Sequence, residues 1–449
     1  MSKIIKIKKG LDIKLKGKAT ENIVVTDIAQ TYAIRPDDIK NLTPKVIFKP
    51  GEKVKAGTAL FFDKYRPDIF FTSPVSGKLI EIKRGERRKI LEFIVEADKE
   101  IEYKEFKKAP ADSLSKEEIV ENLKQSGLWT KIIQRPYGII ANSEDKPKAI
   151  HISTFSSAPL AVNYNFTLKD EMENFQEGVN ILAKLTEGKI HLNLDNKIQN
   201  NIFANISNVT IAKFDGKHPA GNVGVQINKL TPINKGDIVW TVNPQDVVFI
   251  GRLFKTGKYD VSKIISLVGS EVETPQYYKV ISGTNIQNIV KDNIKTENVR
   301  YISGDVLTGI KISKDSYLGH YHNMITVIPE GNHYDMFGWA LPGFGKFSVS
   351  RTFFSWLTPN KEYSLHTNLN GGERAFVLTG EMEKVFPMDI LPMQLLKAIL
   401  VNDIDTMEQL GIYEVIEEDF ALCEFIDVSK INMQEIIAKG ITNMIKEMS

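Results

Sequence analysis

The sequence predicts a multidomain α/β protein (α+β overall), and three observations predict it. Apolar and polar residues alternate at period two in the first hundred residues. Between residues 104 and 260, helical periodicity alternates with strand-like stretches. Beyond residue 388 the chain carries capping residues and apolar helix faces. With 449 residues, 42% hydrophobic and 25% charged, the chain has globular composition and length for about three domains.

Taken in order, Ile5 and Ile7, then Leu11, Ile13 and Leu15, alternate with lysines and Asp12 as half-buried strands do. Turn glycines at Gly51, Gly57 and Gly77 separate further short strands. Residues 1–103 therefore read as a biotinyl/lipoyl-like β barrel-sandwich. Asp63-Lys64 lies near where such domains present a modified lysine, but the stretch from there to Ser73-Pro74 reads as too long for a carrier hairpin.

Residues 104–260 read as a Rossmann-like α/β domain. Ser115 with Glu118 forms a capping box, and Gly127 stops that helix. Thr167 with Asp170 opens a second helix, with Met172, Phe175, Val179, Leu182 and Leu185 on its apolar face. Asn243 before Pro244 opens a third, ending near Gly257. Residues 261–330 have the rhythm of a β-grasp module: strands at Ile264–Val268 and Tyr277–Ile281, then a small helix from Asn285 to Val290. Residues 331–449 combine an irregular segment, rich in glycine and aromatics up to about 385, with a helical domain. Asp405 with Glu408, and Asn432 with Glu435, read as N-terminal caps; Gly411 and Gly440 read as stops or interruptions.

Composition excludes several chemistries. One cysteine, Cys423, permits neither a disulfide framework nor an iron–sulfur cluster built from this chain alone. The best apolar run, Met388–Val401, is broken by Pro392 and carries Lys397, so no spanning helix is expected. The N-terminus has no secretory signal pattern, which predicts a cytoplasmic protein. Charge is asymmetric: residues 1–110 hold 25 Lys+Arg against 16 Asp+Glu, and residues 373–449 hold 6 against 15. The basic residues alternate as outward strand faces with no recognition helix, so nucleic acid is not a partner.

Phosphate loops fail on spacing. Gly343-Phe344-Gly345-Lys346 lacks a following Ser or Thr, and no GxGxxG follows a strand. His218-Pro219-Ala220-Gly221-Asn222-Val223-Gly224 can approach a ligand by its backbone; the favoured reading is a turn before a Val225-Gln226-Ile227 strand. His320-Tyr321-His322 places two imidazoles on one strand face, with no third metal ligand set by spacing. Gly127 to Gly138 concentrates Trp129, Arg135 and Tyr137, a set suited either to a quinone head or to interdomain packing.

An ordered series of short motifs now carries a resemblance. It runs Gly10-Leu11-Asp12, Thr72 to Gly77, Gly127-Leu128-Trp129-Thr130, Arg135-Pro136, His218-Pro219-Ala220-Gly221, Gln245-Asp246-Val247, Ser266 to Gly269, Asn370 to Ala375 and Phe386 to Pro392. In that order, across essentially the whole chain, it resembles the A subunit of the sodium-translocating NADH:quinone oxidoreductases, the sodium-pumping NADH dehydrogenases. That family is similar in turn to the NADH-oxidising subunit of complex I and to the Rnf C subunit. Those relatives use a glycine-rich loop for flavin and nucleotide. Here bulky Leu128 and Trp129 stand near it. They also carry cluster cysteines, whereas here Glu417 to Cys423 and Val428 to Ile431 look like that frame with the ligands replaced.

The resemblance implies a peripheral subunit on the cytoplasmic face of the bacterial inner membrane, reaching the membrane through its partners. Those are the other five subunits, chiefly the membrane-embedded B subunit. It implies no cofactor on this chain and no independent activity; flavins and iron–sulfur centres belong to the other subunits. The complex couples oxidation of NADH and reduction of ubiquinone to sodium export. Trp129, Arg135 and Tyr137 are the residues expected to meet a quinone, if this chain does so.

Overall fold

The computed structural model describes residues 3–334, 336–338 and 340–448. Two small sheets form the barrel-sandwich. One is ordered Thr31–Ile34, Ile90–Ala97, Gly77–Arg84, Lys53–Val54; the other Pro44–Val46, Ala59–Asp63, Arg66–Thr72. Phe61 stacks between Phe71 and Phe93, with ring centroids 4.7 and 4.4 Å away, and these rings fill its core. Asp63-Lys64-Tyr65-Arg66 is a tight hairpin turn rather than the start of a long connection, because Asp63 pairs with Arg66 across it. Its flank is tied down: Arg66 Nη1 donates to Ile140 O at 2.9 Å.

The opening strand does not join the barrel. Lys3–Ile7 runs parallel to Thr210–Gly216 at the edge of a seven-stranded sheet. Ile23–Val25 likewise pairs with Gln276–Ile281. Leu11 to Leu15 is not a strand, although Ile13 and Leu15 are buried. Alternation reports which face is covered, not which sheet supplies the partner.

The seven-stranded sheet is ordered Lys3–Ile7, Thr210–Gly216, Lys189–Asp195, Ala149–Ser153, Val239–Thr241, Ile133–Arg135, Ile139–Ile140. The first five are mutually parallel. Helices Met172–Ala183 and Pro244–Thr256 pack backbone to backbone. A Cβ on Gly251 would lie 1.8 Å from Asn174 O, and one on Gly178 2.1 Å from Val247 O. Ser115 and Glu118 do form the capping box, Gly127 ends that helix with φ +81°, and Asn243 caps Pro244–Thr256. The Met172–Ala183 helix starts later than Thr167, which instead ends a short Tyr164–Thr167 helix. Residues 223–230 form a helix where a turn and strand were expected. Val225 and Ile227 are two apart, and Gln226 between them is buried as well; three consecutive buried positions signal burial, not period.

A six-stranded sheet follows, ordered Ile310–Ile312, Val299–Ser303, Met324–Pro329, Ser262–Val268, Gln276–Ile281, Ile23–Val25, with Met324–Pro329 parallel to Ser262–Val268. His320 to His322 lies in a turn before Met324–Pro329, not on a strand face. The C-terminal region packs helices Pro392–Leu400, Ile404–Gln409, Glu417–Ile426 and Met433–Met448 around Leu396, Phe420, Ile437 and Met444. Asp403, rather than Asp405, caps Ile404–Gln409 by accepting from Thr406 N at 3.0 Å. Gly440 sits mid-helix, where a Cβ would press to 2.8 Å from Ile399.

Candidate functional site

The segment from Gly127 to Gly138 divides between two neighbourhoods. Gly127 turns the chain into a short 3-10 turn, Leu128–Lys131, which drives Trp129 inward. Trp129 is fully buried. Its indole Nε1 donates to Ala141 O at 2.8 Å, and its ring meets Trp240 edge-on at 5.5 Å. Arg135 ends the Ile133–Arg135 strand facing the C-terminal helices, where Nη1 donates to Asp419 Oδ2 at 3.0 Å. Tyr137, half-buried at φ +81°, meets Tyr413 edge-on at 6.2 Å. Burial raises its phenol above the ordinary value. The fold thus brings Arg135 and Tyr137 to the helical region and puts Trp129 in the α/β core.

Beside Thr130 the barrel, the α/β domain and the β-grasp module meet. Lys131 is buried, with Nζ donating to His320 O at 2.7 Å and lying 5.2 Å over the Tyr321 ring. Asp246 Oδ1 is 3.9 Å from that ammonium. Lys263 Nζ donates to His322 O at 2.7 Å, the Tyr321 hydroxyl to Thr130 O, and His320 N to Asp38 Oδ2. Desolvation pulls Lys263 down to about 7, Lys131 and His320 down, and Asp246 up. The cavity lined here by Arg35, Thr72, Thr130, Lys131 and His320 is about 20 Å³, the space of about one water. Sequence reasoning missed this junction because Lys131, between Thr130 and Ile132, and Lys263, between Ser262 and Ile264, carry no periodic sign of burial.

The other place to look is fixed by topology. Chain order reverses between Ala149–Ser153 and Val239–Thr241, and open α/β sheets hold ligands beyond the carboxyl ends of such strands. Asn243 and Tyr164 stand in the connections following those two strands. There Asn323, from the β-grasp module, donates through Nδ2 to Asn243 Oδ1 at 3.2 Å and to the Tyr164 hydroxyl at 3.3 Å. Asn163 N donates to the Tyr277 hydroxyl at 3.2 Å.

Further along the same edge, the glycine-rich turn from His218 to Gly224 opens the Val223–Leu230 helix, a geometry suited to anions. The space beside it is taken from within the chain. A Cβ on Gly224 would fall 2.4 Å from Asp419 Oδ1, so Gly224 leaves room for a carboxylate from the Glu417–Ile426 helix. Asp419 Oδ2 accepts from Arg135 and from Ile416 N at 2.9 Å; among the described residues Oδ1 has no hydrogen-bond donor. Desolvation, then Asp419 and Asp305, push the neighbouring half-buried Glu418 up to about 7. No group of three or more His, Cys, Asp or Glu among the described residues is arranged to hold a metal ion. Cys423 is buried, and burial raises its thiol.

Comparison with known proteins fits this arrangement to a family. Three family models match: the NqrA N-terminal barrel-sandwich hybrid domain over residues 5–98, the NqrA second alpha/beta domain over 114–259, and the NQRA C-terminal domain over 264–314. A chain from Photorhabdus laumondii, named as the A subunit of a Na(+)-translocating NADH-quinone reductase, is 35% identical over 99% of this chain and 100% of its own. Its counterpart from Neisseria meningitidis serogroup A is 37% identical, with the same coverage. The chain belongs to the NqrA family, the A subunits of Na(+)-translocating NADH-quinone reductases. A chain of this family from Serratia proteamaculans matches at 36% identity over equal coverage. Likeness to a solved NAD+-reducing [NiFe]-hydrogenase chain is slight: TM-score 0.38 at 10% identity, covering 77% of this chain and 67% of that one. Among the described residues no helix is long and apolar enough to cross a membrane.

Proposed function

We propose that this chain is a peripheral, cofactor-free scaffold in a sodium-translocating NADH:ubiquinone reductase. In that reading it lies on the cytoplasmic face of the inner membrane, beside five other subunits and chiefly against the membrane-embedded B subunit. Flavins and iron–sulfur centres sit on those partners, and the assembled complex drives sodium outward. The four units 1–103, 104–260, 261–330 and 331–449 work as one body, with the Lys3–Ile7 strand lent to the second.

One observation carries the cofactor-free part: both natural ligand seats of the α/β sheet are filled by the chain itself. Asn323 occupies the crevice and Asp419 the helix N-terminus. A flavin or dinucleotide does not fit those positions as they stand. Quinone contact, in this reading, falls to Tyr137, the member of the predicted trio that keeps an exposed edge; Arg135 is buried beside the same helices, and Trp129 stands apart in the α/β core.

Two experiments test this. Affinity capture of the chain from mildly solubilised native membranes should recover a flavin-containing multisubunit dehydrogenase; recovery of the chain alone would refute membership. In the assembled complex, Tyr137→Ala should raise the KM for quinone while NADH oxidation by an artificial acceptor stays unchanged. An unaltered quinone KM would remove Tyr137 from the quinone path.

A further inference from the structure

The segment between residues 331 and 379 is unlike the rest of the protein. Of residues 331–360, eight are Phe, Trp or Tyr and three are charged, in a chain that is 9% aromatic and 25% charged overall. Among the described residues none of these aromatics is buried. Tyr334 is 102%, Phe344 71%, Leu357 59% and Trp356 51% exposed. Half of the large apolar side chains exposed among the described residues lie between Tyr334 and Leu378. Isolated apolar residues on a surface need no explanation, but a concentration of this kind marks a contact site.

The segment is an arch with a firm neck. Glu330 ties its two ends together, meeting Arg300 and Lys311 and accepting from Thr367 Oγ1 at 2.9 Å. Gly331 N donates to Thr367 Oγ1 at 2.8 Å, and Asn368 Nδ2 to His333 O at 2.6 Å. Beyond the neck, Tyr363 exchanges main-chain hydrogen bonds with Lys14 and Lys16. The neck therefore fixes where the arch leaves the body; Phe347, 6.2 Å from Phe425, packs it back on the Glu417–Ile426 helix, and the exposed rings remain on its surface.

We propose that residues 334–357 rest in the headgroup layer of an anionic bilayer, so that the chain touches lipid directly and not only through partner subunits. Three features favour lipid over a protein groove. The backbone is irregular, with one 3-10 turn at Phe354–Leu357, so its polar groups still need water. The headgroup layer supplies that water and the hydrocarbon core does not. Aromatic rings such as the exposed Tyr334 and Trp356 are the side chains enriched at that depth. Finally, an exposed cation of the segment lies on one of its own rings: Arg351 is 5.7 Å over Trp356. That pairing presents positive charge to lipid phosphate and apolar carbon to acyl chains.

The test uses the purified full-length chain and unilamellar phosphatidylcholine vesicles containing about a third phosphatidylglycerol. The chain should co-sediment with them and stay bound in about 0.5 M salt, since apolar insertion is not screened. The triple variant Phe344→Ser, Trp356→Ser, Leu357→Ser changes exposed side chains and should melt like the parent, yet its bound fraction should fall about tenfold or more. Failure of the parent to sediment overturns the proposal, as does undiminished binding by the triple variant. Release by salt would assign the binding to the basic residues of the barrel region and would also overturn it. Sedimentation only with vesicles that contain the membrane subunits would replace lipid by a protein partner.

Discussion

The carboxyl edge of the seven-stranded sheet and the 334–357 arch treat side chains in opposite ways. At the sheet edge, positions that face a ligand in other α/β proteins face the chain's own Asn323, Asn243 and Asp419. In the arch, large apolar groups that would be core elsewhere are left outside. On the proposed reading, the molecule is closed to small ligands where its fold would admit them and open on a broad apolar surface. The filled sites are held by hydrogen bonds and close approaches, whereas the open surface is set apart by its composition and exposure.

The largest effect expected from breaking this contrast is at Arg135. Sequence alone makes Arg135→Ala a quinone-site variant. In the folded chain it acts first through Asp419, whose side chain is 0% exposed and would lose its partner cation. Removing one partner of a buried pair costs about 3–5 kcal/mol, so the denaturation midpoint should drop and protease should reach the Glu417–Ile426 helix. An unchanged midpoint would mean that the internal carboxylate does not hold the two regions together. Next comes Gly224→Ala, whose methyl would meet Asp419 Oδ1 at 2.4 Å. Overpacking of this kind costs about 1–3 kcal/mol, and Gly224→Ala combined with Asp419→Ala should recover part of that loss in a double-mutant cycle.

The junction sharpens the comparison by pH. Burial pulls folded Lys263 down to about 7, whereas an unfolded lysine titrates at about 10.4. Between those values the unfolded chain holds a proton that Lys263 has shed. Stability therefore rises with pH across that window, and the penalty is complete below it. Lys263→Met should flatten this rise, read as denaturation midpoints across the window. The smallest effect is expected at the neck of the arch. Arg300 first, then Lys311 and Thr367, hold Glu330 down at about 2. Its contribution should be complete above about 4.3, the ordinary glutamate value, and vanish as pH falls to about 2. Glu330→Gln should remove that acid limb from a thermal melting series.

What the sequence made legible follows physical locality. Ser115 with Glu118, Asn243 with Pro244, and Gly127 act within a few residues, and the helix boundaries they imply are the ones found. The β-grasp strands near Ile264–Val268 and Tyr277–Ile281 were legible for the same reason. Long-range choices were not. Nothing local says that Lys3–Ile7 leaves the barrel for Thr210–Gly216. Nor does anything local say that Gly224 is shaped by a carboxylate almost two hundred positions away, or that Lys131 and Lys263 are buried together. The trio Trp129, Arg135 and Tyr137 was noticed for its chemistry, but its separation into a core ring and two residues facing the C-terminal helices depends on tertiary packing. The aromatic segment after residue 331 was visible as composition, while its exposure was not.

The parallel pairing of Lys3–Ile7 with Thr210–Gly216 has a consequence for synthesis. A ribosome adding about 5–20 residues per second needs on the order of ten to forty seconds to travel from one partner to the other. Throughout that interval the first strand has left the tunnel with an unsatisfied edge and nothing to pair with. Lys3 and Lys6, set beside its isoleucines, are the kind of charge that discourages such an edge from joining a neighbouring nascent chain. The lysine–isoleucine alternation thus serves the waiting strand as well as the finished sheet.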